Sequence, residues 1–524
     1  MTSIPLEHHA TPAAFAASAS ARWMLAVGGI TLLALSLRLV GIHTHSFWYD
    51  EAVTAMIAGL SYGDIFFFRG LAQDAGNPPL YWMLAKAWSS LFGTSEVAFR
   101  SFSVLCGTLS IPVMAWVGMR LFNPAIGLIA AGLLAISPLA VELSNEARTY
   151  ASQGLFVLLA TALLLRWLQT RKVLDLALYA AVMALVVYGH YFAFVLPFAH
   201  MVGLTTLPDR RRTLLPWFAA MLGVAVLWLP WLPSFLHQLK LSGNLNRMPT
   251  SWHLQFVATP LVLSLGRTFA WRDSVPWLLG LGLLGSIVAF WAPAIWGFIK
   301  TRRNTLAIAI LATWLLVPIV PPFLASLAGF KFYHTRAASV TLPALLLFLA
   351  AGLYCLRPVL RHACIVIILL MTTVSLARYA SQPLKDDWRS AAATVLPALN
   401  ADEPVLFDTD IEVVSFRYYA ERAGQVPREM IGLMSPPTAA GGLPGVLYTS
   451  GRKTHGDTRD YASRVLESQG IWLAMCVPAG TLEEYEALFA QHGYTLAESH
   501  HFHRVDVHHF RKSPPRRQEA AHAN

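Results

Sequence analysis

Asp50 and Glu51 are neighbouring carboxylates in the run SFWYDEA, Ser46–Ala52, directly after the first long apolar stretch of the chain. Close to a bilayer and behind Trp48 and Tyr49, such a pair sits where partial desolvation can raise a carboxyl pKa and make a general base. The same run also fits an aromatic interfacial belt followed by acidic residues in a first helical turn. Glu146, Arg148 and Tyr150 stand at the mouth of another apolar stretch, inside AISPLAVELSNEARTYA, Ala135–Ala151. A local ion pair at a helix start would account for Glu146 and Arg148, but their facing the same side as Asp50 favours a site. Lys331, His334 and Arg336 form a basic group that could hold an anionic headgroup, and Arg148 could share that role. His190, between Tyr188 and Tyr191, is either a turn residue or a ligand. Arg38 either snorkels or pairs with a carboxylate of the loop that follows it.

Two further patterns are weaker. The DTD run, Asp408–Asp410, has the spacing of a divalent-metal carboxylate pair, yet it follows a strand-like run, where a turn is the default. The stretch HHFHRVDVHH, His500–His509, would place His501, His503 and His509 on one strand face by period two, with no partner cysteine to support a metal.

These residues must be positioned by membrane-spanning elements. The 524 residues are 56% hydrophobic and 13% charged, against about 25% charged in an ordinary soluble domain. Mean hydropathy is +0.51. The formal charge of +10 comes from Lys and Arg scattered between apolar runs, which form no continuous basic face for nucleic acid and instead record orientation. Four cysteines without metal-ligand spacing argue against a disulfide framework or a structural zinc.

Candidate spans of about 20 apolar residues start at Trp23–Ile42 and continue through Phe102–Phe122, Ala125–Val141, Tyr150–Leu168, Leu174–Gly189 and Phe192–Leu207. Leu214–Leu232, Pro276–Ile299, Thr305–Leu327, Ala338–Leu356 and Ala363–Ala377 bring the count to about eleven. Pro79–Phe92 is short and contains Lys86; read as an interfacial helix within one external loop, His43–Ser101, it leaves five successive basic loops on the side of the N-terminus. The expected fold is therefore an all-α polytopic membrane protein of about eleven spans with interfacial helices in the first external loop, plus a small C-terminal α/β soluble domain. The expected organisation is a cytoplasmic tail over 1–22, a transmembrane module over 23–378, a periplasmic α/β domain over 379–512 and a disordered tail over 513–524. Within the α/β domain, strands are expected at Pro404–Phe407, Gly470–Val477 and Arg504–Phe510, and a helix at Thr481–Gln491.

The WYDEA run, GNPPLYW with its proline pair, Phe99–Ser103, EARTYA, YGHYF at Tyr188–Phe192 and KDDWR at Lys385–Arg389 together resemble the bacterial polytopic glycosyltransferases of the GT-C superfamily. That group is related to protein O-mannosyltransferases, to the aminoarabinose transferase acting on lipid A and to rhizobial lipopolysaccharide-core transferases. The chain departs from the pattern at Asn77, where His often precedes the prolines, and at Ala337, where Tyr usually follows the late Arg.

The resemblance implies transfer of a sugar from a polyprenyl-phosphate donor to a periplasmic acceptor hydroxyl on a lipid, saccharide or protein, with inversion. It implies an inner-membrane location, with the N-terminus cytoplasmic and the site facing the periplasm in a cleft between the first two external loops and the outer ends of the later spans. Matched by motif, Asp50 is the catalytic carboxylate with Glu51 beside it. Arg148, Glu146, Tyr150, Lys331, His334, Arg336, Arg100 and His190 are the candidates for donor phosphate or substrate. No residue is assigned to a metal, although a divalent ion stays open as a cofactor, and no nucleic acid partner is expected. The alternatives are a transporter or lipid flippase, disfavoured because ionisable residues inside the spans are scarce, and a polymerase or ligase using diphosphate-linked glycans.

Overall fold

The computed structural model describes residues 13–67, 77–242, 252–269, 276–327, 335–382, 384–409, 411–433, 445–449, 452–454, 465–476 and 481–513. They divide into two compact units, Met1–Ile42 with Leu60–Gln382, and His43–Gly59 with Pro383–Asn524. The first loop after the N-terminal helix thus belongs with the C-terminal part of the chain.

The first unit is helical. Among the described residues eight helices are long and apolar enough to cross a membrane: Ser20–Val40, Glu96–Leu121, Tyr150–Thr170, Arg210–Lys240, Leu279–Thr301, Thr305–Leu327, Ala338–Cys355 and Pro358–Ser381. Pro124–Ile136 and Pro138–Ser144 pass together as a ninth, bent by 57° at the break. Val173–Gly189 and Tyr191–Thr205 are shorter apolar helices. The apolar stretches expected from the sequence are therefore helical; among the described residues eight, or nine with the bent pair, are long and apolar enough to cross, and two are shorter.

Local chemistry sets the helix starts. Ser95 accepts from the Ala98 amide, and Asn123 accepts from the Ile126 amide ahead of Pro124 at the first helical position. Ser137–Pro138 repeats that signal inside what the sequence reads as one span, which is why the helix breaks there. Leu342–Cys355 is the central helix, buried at every residue from Leu342 to Leu353. Leu80–Phe92 forms the short helix expected between Pro79 and Phe92 and is pinned by Trp88, whose Nε1 donates to the Ala98 carbonyl at 3.0 Å. Helices at Leu232–Ser242 and Trp252–Leu265 lie between the expected spans, the second with Pro260 inside it.

The second unit is built on seven strands: β1 (Val405–Phe407), β2 (Met430–Leu433), β3 (Gly445–Thr449), β4 (Arg452–Thr454), β5 (Gly470–Met475), β6 (Tyr494–Phe502) and β7 (Val505–Lys512). They form one sheet in the order β4-β3-β2-β1-β5-β7-β6. β1 is parallel to both β2 and β5, with Val405 opposite Met430 and Trp472, and the remaining pairs are antiparallel.

Period-two alternation feeds two cores. Val405, Phe407, Trp472, Ala474, Val505 and Val507 meet helices Trp388–Ala398 and Glu412–Ala423 on one face. Leu406, Ile471, Leu473 and Phe510 meet helix Leu482–Gln491 on the other, giving a helix–sheet–helix sandwich. Thr481 and Glu484 close a capping box on that helix. Of the expected metal pattern, His503 lies in the β6–β7 turn next to Arg504, whose φ is +60°, so His501, His503 and His509 do not share a strand face. His501 pairs with Asp506 at 2.8 Å, and among the described residues no three His, Cys, Asp or Glu side chains could hold a metal ion. Asp408 of the DTD run is fully buried and accepts from Tyr485 Oη at 2.7 Å; Asp410 lies outside the described residues, as does the tail beyond Ser513.

His509 is buried flat on Trp472, ring centroids 4.1 Å apart, with Nδ1 3.2 Å from Glu498 and Nε2 3.4 Å from Glu403. The hydrogen bond with His509 leads in holding the Glu498 carboxyl below its ordinary range. At Glu403 burial opposes the charge, but Asn400 and His509 outweigh it and the carboxyl is again lowered. Depressed native carboxyl values contribute stability above the unfolded value of about 4.3, lost as pH falls through the native values. Acidification below pH about 4 should therefore raise hydrogen exchange in β6 and β7, and Glu498→Gln should weaken that pH dependence. Exchange with the same pH profile in wild type and variant would contradict this.

Candidate active site

Asp50 and Glu51 lie in the first turn of helix Tyr49–Ala58, where the positive helix end favours carboxylates. Their environments differ. Glu51 is fully buried and 2.8 Å from Lys385 Nζ, itself 7% exposed, whereas Asp50 is half-buried. The preceding segment is fixed within the same unit. Phe47 is buried with its ring 4.8 Å from Tyr418, and its amide donates to Tyr419 Oη at 2.6 Å. Ser46 Oγ donates to the Asp386 carbonyl at 2.5 Å, and Arg389 Nη2 donates to the carbonyls of His43 and His45 at 3.3 and 3.1 Å. Asp387 caps helix Trp388–Ala398, accepting from the Ser390 amide at 3.2 Å. The KDDWR run thus forms the seat of the WYDEA loop. The partners are 334 positions apart, so no local pattern could assign Lys385 this role.

In the membrane unit, the break at Ser137 exposes carbonyls in the last turn of helix Pro124–Ile136 that have no intrahelical donor. Arg38, 1% exposed, supplies donors: Nη1 to Ala135 at 3.2 Å, Nη2 to Leu134 at 3.3 Å and Nε to Ser144 Oγ at 3.1 Å. A guanidinium suits the negative end of a helix. Arg38 therefore neither snorkels nor pairs with a carboxylate of the first loop. Gly107 leaves the room: a Cβ there would collide with Ser144 Oγ and Arg38 Nε.

The stabilised break presents Glu142 and Glu146, each 1% exposed, to Arg267. Glu142 accepts from the Arg267 amide at 2.9 Å, from Arg267 Nε at 3.3 Å, and from the Thr268 amide and hydroxyl at 3.3 and 2.7 Å. Glu146 accepts from Arg267 Nη2 at 2.5 Å. Burial opposes the Arg267 charge, but Glu146 and Glu142 outweigh it and hold the guanidinium well above its ordinary range. Glu146 thus meets Arg267 rather than making only a helix-start pair with Arg148. Arg267 lies 125 and 121 positions from these carboxylates, so no local pattern could assign it this role.

The other expected residues fall as follows. Arg100 is fully buried and donates from Nη1 to the Ile42 carbonyl at 3.0 Å, holding the chain just before the first loop. Arg148 is 8% exposed and Tyr150 is 9% exposed. His190 is a turn residue: Nδ1 accepts from the Phe192 amide at 3.2 Å, and its ring lies 6.0 Å from that of Tyr150. Arg336 is half-buried ahead of the turn Ala337–Thr341. Lys331 and His334 lie outside the described residues, as do Arg247 and Arg272. An open, almost wholly apolar groove of ≈ 370 Å³ is lined by Phe66, Pro79, Leu80, Met83, Tyr188 and Leu227 among others. Beside it, Gln238 Nε2 donates to the Asn77 carbonyl at 3.3 Å and Tyr191 Oη donates to Gln238 Oε1, tying down the residue before the proline pair.

A helical membrane unit with a broken span and buried ionic cluster, and a second unit that carries the carboxylate pair with an α/β sheet, give a fold similar to that of solved structures, and part of the sequence matches one family model. Residues 76–233 match the family model described as dolichyl-phosphate-mannose-protein mannosyltransferase. The fold is similar to that of ArnT from Cupriavidus metallidurans in the apo state, with a TM-score of 0.59 at 14% identity over 94% of this chain and 98% of that one. It is also similar to the apo oligosaccharyltransferase of Archaeoglobus fulgidus, with a TM-score of 0.53 at 12% identity over 86% of this chain and 69% of that one. A third similar structure is AglB from the same archaeon, in complex with an inhibitory peptide and a dolichol-phosphate (TM-score 0.50, 13% identity, 90% and 72% covered). No curated protein matches the chain at the sequence level.

Gly266 precedes Arg267 with a φ of +77°, and a Cβ there would run into Glu142 Oε1 and Pro138. A left-handed alanine alone costs about 1–2 kcal/mol, and displacing Glu142 adds to it. Gly266→Ala is expected to lower the melting temperature of the detergent-solubilised protein; an unchanged value would show that the Glu142–Arg267 contact is not fixed in this way.

Proposed function

We propose that this chain transfers a sugar from a polyprenyl-phosphate donor to an acceptor hydroxyl at the periplasmic face of a bacterial inner membrane, with Asp50 as general base. The observation that carries this reading is the division between the two carboxylates: Glu51 is buried against Lys385, while Asp50 beside it is the one half-open to a substrate. An attacking hydroxyl must lose a proton as it bonds to the anomeric carbon, and a carboxylate within hydrogen-bond reach accepts it. The leaving group is a lipid phosphate, so cations that meet its developing charge complete the minimum set. Arg148 and Arg336, with Lys331 and His334, are assigned that role. Inversion follows from a single displacement.

The donor class is supported from two sides. The matched family is named for a dolichyl-phosphate sugar, and a protein of similar fold is in complex with a dolichol-phosphate. The apolar groove beside Pro79 offers an isoprenoid chain a surface that water does not favour. The acceptor class stays at a hydroxyl-bearing lipid, saccharide or protein.

Proteoliposomes carrying wild type or Asp50→Asn, given a panel of radiolabelled polyprenyl monophosphate sugars and an envelope extract, test the reading. Label should leave the donor lipid with wild type, and the Asn variant should be slower by a factor on the order of 10²–10⁴ while still folded. Equal rates would remove Asp50 as the base, and movement of intact donor across the bilayer without transfer would favour a flippase.

A further inference from the structure

We infer that Lys385 is a positioning residue for the reaction: through its buried ion pair with Glu51 it sets the place of Asp50, so that Glu51 acts as a strut and not as an acid or base. This rests on the reading of Asp50 as the base. A buried ion pair gains little stability over an apolar pair of similar volume, because both charges lose their hydration. Its better-attested use is to fix geometry. Here the charges are 7% and 0% exposed and their atoms 2.8 Å apart.

The pair is one of three contacts that the same short run makes onto the loop. Lys385 holds Glu51, the Asp386 carbonyl holds Ser46, and Arg389 holds the carbonyls of His43 and His45. Asp387 between them caps helix Trp388–Ala398, whose Trp388, Ala391 and Val395 are buried in the sheet's core, so the clamp has a firm base. Of these three contacts, the one to Glu51 falls within the helical turn that carries Asp50. Moving it rotates that turn, and a misplacement of about 1 Å can cost about a hundredfold in rate.

The test uses the full-length protein in nanodiscs, with Lys385→Met, Lys385→Arg, Glu51→Gln and the exchanged double variant Lys385→Glu with Glu51→Lys. Hydrogen exchange of residues 43–59 is read beside transfer kinetics. Lys385→Met and Glu51→Gln should lose about a hundredfold in kcat with little change in KM for the donor. Both should raise exchange over 43–59 while 388–398 stays protected. Lys385→Arg and the exchanged pair should recover most of the loss. Singles with wild-type kcat and unchanged exchange, a loss carried in KM, or an exchanged pair no better than the singles would each overturn the inference. If wild type itself transfers no sugar, the functional reading falls, and the role in catalysis falls with it. The exchange data would then show whether the pair holds the loop.

Discussion

A helix that stops inside an apolar span leaves carbonyls that lipid cannot satisfy, and the membrane unit is arranged around that constraint. The break at Ser137 would be costly without Arg38, whose guanidinium reaches the Leu134 and Ala135 carbonyls and Ser144 at once. Ser137 and Pro138 restart the chain as a short helix at a 57° bend. That turn aims Glu142 and the following Glu146 at Arg267, and Gly107 and Gly266 are glycines because side chains there would fill the spaces that Arg38 and Glu142 occupy. An arginine near the end of a span, which the sequence leaves to snorkel or to pair with a carboxylate, is thus the fastener of a broken span.

In the second unit the controlling interaction is again a buried charge. Lys385 and Glu51 neutralise one another, which separates two adjacent carboxylates that the sequence presents as equivalents. Burial removes Glu51 from contact with a substrate and leaves Asp50 at the half-open start of its helix. Aromatic contacts of Phe47 with Tyr418 and Tyr419 seat the loop on helix Glu412–Ala423, so the C-terminal unit is part of the framework of the candidate base rather than an appendage.

Much of this was legible in the sequence, for identifiable reasons. Long apolar runs, N-capping Ser and Asn before Pro, and the Thr481–Glu484 box are local signals, and the helices follow them. β1, β5 and β7 were visible as apolar runs. β6 was not, because its exposed residues, Thr495 to Ser499, show no apolar alternation. The break at Ser137 was written in the Ser-Pro pair but was masked by the hydrophobicity of both flanks. Lys385 and Arg267 were invisible as partners because their carboxylates lie 334 and 125 or 121 positions away, and charge pairing at such separations is decided by the fold alone. The histidine pattern misled because a period-two reading assumes an unbroken strand, and the β6–β7 turn at His503 interrupts it.

The way charge is answered also constrains where a phosphate can be met. Arg267 would suit an anion by its position past a span, but Glu142 takes its amide and Nε, and Glu146 takes Nη2. An incoming phosphate at Arg267 would displace carboxylates already desolvated and hydrogen-bonded, which costs more than it returns. Arg38 is occupied by the broken helix, Arg100 reaches a main-chain carbonyl, and Lys385 is answered by Glu51. These four cations are thus answered by the protein itself. The buried arginines brace the membrane unit where its main-chain carbonyls and carboxylates need an answer.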